Sequence, residues 1–91
     1  MSLWRRDAAL PFQRMAEEAI VVDPRTREVH LLNETAARIW ELLETPRSTE
    51  ELVAALSDEY EAEPAALRRE VEAFVIDLGG KGLVAAVRGR A

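Results

Sequence analysis

Ala19-Ile20-Val21-Val22-Asp23-Pro24-Arg25-Thr26-Arg27-Glu28-Val29-His30-Leu31-Leu32-Asn33-Glu34 is the stretch on which the fold turns. Two runs rich in β-branched and aliphatic residues flank Asp23-Pro24-Arg25-Thr26. Proline presets φ at the second position of a turn and an aspartate before it can hydrogen-bond the turn backbone. The stretch therefore predicts a β-hairpin of residues 19–22 and 27–32, the clearest strand signal in the chain. Asn33 follows at once, and asparagine is a favoured N-cap because its side-chain oxygen accepts from first-turn amides that lack a partner. A helix is expected from Glu34, directly off the second strand.

Upstream, residues 11–16 read as a short extended segment anchored by Phe12, and residues 1–10 as an N-terminal extension. Downstream, Ala36, Ile39, Trp40 and Leu43 recur at helical spacing, with Glu34, Arg38, Glu41 and Glu44 largely off that stripe, until Pro46 ends the helix. Trp40 belongs to this stripe and is expected in the core. Ser48-Thr49-Glu50-Glu51 is a capping box that opens a second helix over residues 49–60. Pro64 suits the first turn of a third. There Leu67, Val71, Phe74, Val75 and Leu78 form the core face, and Gly79-Gly80 is the expected stop. Leu83-Val84 is expected to pack back, and residues 86–91 read as a tail that frays from Arg88. The predicted class is α+β: an N-terminal antiparallel sheet of three short strands, then a three-helix bundle.

Ninety-one residues allow one core only. The chain lacks cysteine, which excludes disulfides, thiolate metal sites and cysteine nucleophiles. No apolar run is long enough to span a bilayer and no signal peptide is seen, so a cytoplasmic chain without membrane contact is expected. Its net charge of −5 is unevenly spread. Residues 33–78 hold four basic and twelve acidic side chains, the wrong balance for replacing counterions on phosphate. The second and third helices follow each other like a helix-turn-helix, but Arg68 and Arg69 face Glu70, Glu72 and Asp77 on a helix of net negative charge. A winged-helix DNA-binding regulator is the first rival reading, and nucleic acid is not an expected partner.

Catalytic chemistry finds no footing. His30, the single histidine, has no second histidine or cysteine to complete a metal or nucleophilic set and reads as a packed or surface residue. Asp58, Glu59, Glu61 and Glu63 lack the alternating ligands and turn glycine of a calcium loop. Ser48 is occupied as a cap, and Ser2 and Ser57 have no nearby base. No glycine-rich phosphate loop is present. No enzyme activity, cofactor or metal is expected. Ile76 lies off the core stripe of the third helix and reads either as a lone exposed aliphatic or as a binding contact.

Ile20-Val21-Val22-Asp23-Pro24, Leu32-Asn33-Glu34-Thr35-Ala36-Ala37, Ile39-Trp40-Glu41-Leu42-Leu43, Thr49-Glu50-Glu51-Leu52-Val53 and Val71-Glu72-Ala73-Phe74-Val75, with Leu78 and Gly82-Leu83-Val84, together resemble the PqqD family over residues 11–85. Glu44-Thr45 departs from the Asp-Gly that many members carry after the first helix. The resemblance implies a winged-helix-like domain that recognises precursor peptides in the biosynthesis of ribosomally made, modified peptides. Such domains hold the leader as an added strand and present the core peptide to a modifying enzyme, often a radical SAM protein. The resemblance does not fix the product as pyrroloquinoline quinone. The implied cleft lies between the third strand and third helix: Arg27, Glu28, Val29, His30, Leu31 and Leu32 on one side, and Arg69, Glu72, Ala73 and Ile76 on the other. The expected partners are a leader peptide and its modifying enzyme, with a homodimer compatible. An interaction subunit that serves no leader peptide is the second rival reading.

Overall fold

The computed structural model describes residues 2–88, in the order β1 (Ser2–Arg6), β2 (Phe12–Arg14), β3 (Ala19–Asp23), β4 (Glu28–Leu32), α1 (Glu34–Leu42), α2 (Thr49–Glu59), α3 (Pro64–Gly80) and β5 (Val84–Arg88). The first three-strand expectation is met by an antiparallel sheet of order β2-β3-β4, with Val21 opposite His30 and Ala19 opposite Leu32. The hairpin tip is built by Asp23. Its carboxylate is buried and accepts from the Arg25 amide at 3.0 Å and from Arg25 Nε at 3.1 Å, while its carbonyl accepts from the Arg27 amide at 2.8 Å. Arg27 sits at φ 63°, a left-handed conformation that no strand residue holds. β4 therefore begins at Glu28, one residue later than the sequence predicts.

The helices form where their caps dictate. Asn33 accepts from the Ala36 amide, and Ser48 with Glu51 closes the capping box in both directions. α1 stops at Leu42, ahead of Pro46, and Arg47 Nε donates to the terminal Leu42 carbonyl at 2.7 Å. The expected stop at Gly79-Gly80 is displaced. Both glycines stay helical, and the chain reverses at Gly82, whose φ of 76° suits a residue without Cβ. The Gly82 amide donates to Gly79 and the Leu83 amide to Leu78, the paired bonds of a Schellman ending.

A second sheet departs from the sequence reading. β1 pairs antiparallel with β5, Leu3 opposite Val87 and Arg5 opposite Ala85, so residues assigned to an extension and a tail form a ribbon. Arg88, the expected start of fraying, is in the strand, and residues 89–91 lie outside the described residues. Leu3 is buried, and Arg6 places its guanidinium 4.7 Å from the Phe12 ring and donates to the Trp40 carbonyl at 2.9 Å. The core beneath holds Val21, Ile39, Trp40, Leu52, Leu56, Val71, Phe74 and Leu78, as the apolar stripes of the three helices predict. Arg38 grips Glu59 with two hydrogen bonds and joins α1 to α2, while Arg68 and Glu50 join α3 to α2. Among the described residues, no helix is long and apolar enough to cross a membrane.

Candidate functional site: an open strand edge beside α3

The direction of one amide shows which main-chain groups of β4 are free. The Val22 amide donates to the Pro11 carbonyl, on the β2 side of β3. Amides alternate in direction along a strand, so Ala19, Val21 and Asp23 turn toward β4 and close the ladder with Leu32, His30 and Glu28. Val29 and Leu31 then point both amide and carbonyl outward. β4 is an edge of its sheet, and among the described residues these groups meet no other backbone partner. Their side chains share the outer face and are each 63% exposed, whereas Leu32 is buried on the inner face.

Beside this edge lies an open cleft of about 360 Å³. Its floor is apolar, from Leu32 of β4, Ala36 and Ile39 of α1, and Phe74 and Leu78 of α3. Its far wall is α3, where Glu70, Ala73 and Asp77 stand three to four residues apart on one face. Asn33 and Thr35 close the end at the α1 N-terminus, and the side chain of Asn33 is already used as the cap. A strand laid along β4 would hydrogen-bond to Val29 and Leu31 and send every second side chain onto that floor. Among the described residues no group of histidines and carboxylates could hold a metal ion.

Of the residues named from sequence, Leu31, Leu32 and Ala73 line the cleft together. Val29 adjoins it along the open edge. Glu28 and His30 belong to the inner face, and His30 Nε2 is buried without a hydrogen-bond partner. Arg27 is in the turn, off the strand. Arg69, Glu72 and Ile76 do not line the cleft, and Ile76 stands 75% exposed. At about 100° per residue, Ile76 is turned a quarter of the helix away from Asp77. Glu70, Asp77, Phe74, Leu78, Ala36 and Ile39 line the cleft but were not among the site residues expected from sequence. The 70–73–77 spacing, flanking the core stripe on the side of β4, is the signal that locates the wall.

Residues 18–84 match the family of coenzyme PQQ synthesis protein D, PqqD. The chain belongs to the PqqD family. No curated protein matches it. Among solved structures, this PqqD-family chain is similar to TbiB1 in complex with the TbiA(beta) leader peptide, with 26% identity, TM-score 0.77, and coverage of 96% of this chain and 98% of that one. It is also similar to a lasso peptide synthetase B1 complexed with its leader peptide, at 27% identity and TM-score 0.75 over 90% of this chain and 96% of that one. A third structure, the PqqD truncation of Methylobacterium extorquens PqqCD described as a stand-alone recognition element, shares the fold at 14% identity and TM-score 0.75, covering 91% of this chain and 88% of that one.

Proposed function

We propose that this PqqD-family chain is a non-catalytic, cytoplasmic adaptor that takes the leader of a ribosomally made precursor peptide as a strand on β4 and presents the rest to a modifying enzyme. The observation that carries this reading is the outward pair of Val29 and Leu31 main chains beside an apolar cleft, in a chain similar to two proteins whose structures contain a leader peptide. An unpaired edge is a template for strand addition: main-chain bonds supply affinity and alternate side chains supply selection. Similarity to a lasso peptide synthetase B1 favours a lasso peptide synthetase component over a radical SAM protein as the partner enzyme. α1–α3 with the β1–β5 ribbon in the position of a wing is the winged-helix-like reading of the fold. One cleft per chain suffices, so the function needs no homodimer. DNA binding is disfavoured because the only charged side chains on the cleft wall are carboxylates.

Proline tests the edge directly. Val29→Pro and Leu31→Pro each delete an outward N–H that the β3–β4 ladder does not use, which edge strands tolerate. Calorimetric titration with a candidate leader peptide should show binding by the parent, weakened about ten-fold or more in each variant, since ten-fold corresponds to about 1.4 kcal/mol. Thermal melts should stay close to the parent. Equal binding by parent and proline variants would overturn strand addition on β4, and a leader that does not bind the parent would favour the rival reading of an interaction subunit without a leader. Two α3 variants then locate the wall. Ala73→Glu, which drives a charge onto the cleft, should cost about 1–3 kcal/mol of binding, whereas Ile76→Asp should cost little if the 70–73–77 face is the wall.

A further inference from the structure

The cleft wall carries two carboxylates and no base. Glu70 and Asp77 are the charged residues that line it, two helical turns apart and so about 10 Å from end to end. Glu70 forms no ion pair among the described residues, and Asp77 meets Lys81 at 3.1 Å in a pair with both side chains largely exposed. The nearby arginines do not offset them. Arg68 is engaged with Glu50 on the α2 side, and Arg69 does not line the cleft. A strand entering here thus meets an apolar floor and an acidic flank.

Resting on the reading of β4 as a leader-binding edge, we propose that the occupant is a cationic strand: apolar side chains at alternate positions fill the floor, and a flanking lysine or arginine pairs with Glu70 or Asp77. A bound strand would exclude water from part of the wall, which strengthens a pair with a base and penalises a carboxylate placed against another. The Asp77–Lys81 pair, being exposed, is weak enough to exchange for a ligand's charge. An acidic leader is rejected by the same groups, so the two carboxylates select among leaders of equal apolar pattern.

Panning a random-peptide display library on the full chain and on a Glu70→Gln/Asp77→Asn variant tests this without knowledge of the natural peptide. The parent should enrich lysine or arginine beside alternating apolar residues, and the variant should lose the basic preference while keeping the apolar one. For the best parental peptide, made synthetically, replacing its basic residue by glutamate should weaken binding about three- to ten-fold at low salt, the range for one or two partly screened pairs. That loss should shrink in the double variant and at high salt. Enrichment of neutral or acidic peptides, or identical peptides and affinities from parent and variant, overturns the charge selection. Retention of full affinity by Val29→Pro overturns strand addition instead, so the two failures are separable.

Discussion

The outer edges of β1 and β4 expose the same main-chain groups, yet the fold treats them in opposite ways. On β1 the Trp4 amide donates to the Arg47 carbonyl at 2.7 Å, Arg47 returns a bond to Trp4 at 3.0 Å, and the Arg6 amide reaches the Leu43 carbonyl at 3.3 Å. The loop after α1 therefore seals that edge, with Trp4 Nε1 also near the Thr49 hydroxyl. On β4 nothing among the described residues performs that service for Val29 and Leu31. An unsealed edge invites unwanted pairing, and proteins commonly cover or charge it. The chain thus has the means to close an edge and leaves open the one that borders an apolar cleft.

At the sealed edge, a substitution should act mainly on stability, and strongly. Leu3→Ala removes a buried side chain from the ribbon and should destabilise the fold by about 2–4 kcal/mol. Leu31→Ala, at the open edge, should cost under about 0.5 kcal/mol because its side chain is mostly exposed, while weakening peptide binding. Chemical denaturation of both variants checks the contrast. Equal destabilisation would mean that Leu31 is packed and the edge is not free.

Much of this molecule was legible in the sequence, and the gaps have one cause. The hairpin, the caps at Asn33 and Ser48, and the core stripe from Leu67 to Leu78 are local signals, written within a turn or two of where they act. The β1–β5 ribbon is not local. Ser2–Arg6 is short and carries two arginines, and it becomes a strand only because Val84–Arg88 lies beside it. The same limit applied to the site. The cleft implied by the resemblance put Arg69, Glu72, Ala73 and Ile76 on the third helix, whereas the α3 residues that line the cavity beside β4 include Glu70, Ala73 and Asp77, a placement set by the rotation of α3 against the sheet rather than by local sequence.

A middle effect concerns acid, and it acts where the two regions meet. Arg25 holds Asp23 through its side chain and also donates to the Gly82 carbonyl at 3.2 Å, linking the hairpin of the open edge to the turn before β5. The hydrogen bond from the Arg25 side chain is the main reason the Asp23 carboxyl titrates below its ordinary range. A carboxyl with a lowered folded pKa stabilises fully above its unfolded value, near 3.9, and that stability is lost as pH falls through the folded pKa. Thermal melts should therefore drop on acidification below about pH 4, and Asp23→Asn should flatten this decline while lowering stability at neutral pH. A decline of unchanged steepness in Asp23→Asn would assign the acid sensitivity to other carboxylates, such as Glu59 beside Arg38.

The smallest effect tests where the open edge begins. Arg27 holds φ 63° at the foot of β4, and a side chain in the left-handed region costs about 1–2 kcal/mol that glycine avoids. Glycine also gives the unfolded chain more freedom, worth roughly 0.5–1 kcal/mol in the opposite sense. Arg27→Gly should thus stabilise the domain by only about 0.5 kcal/mol, a rise of a few degrees in Tm for a domain of this size. Peptide binding should not change, because the Arg27 side chain does not line the cleft and its turn precedes the free pair at Val29 and Leu31. If the variant gains stability but loses affinity, the turn itself touches the peptide, and the site extends along the hairpin as the resemblance implied. If it loses stability, the Arg27 side chain contributes more to the hairpin than its backbone strain takes away.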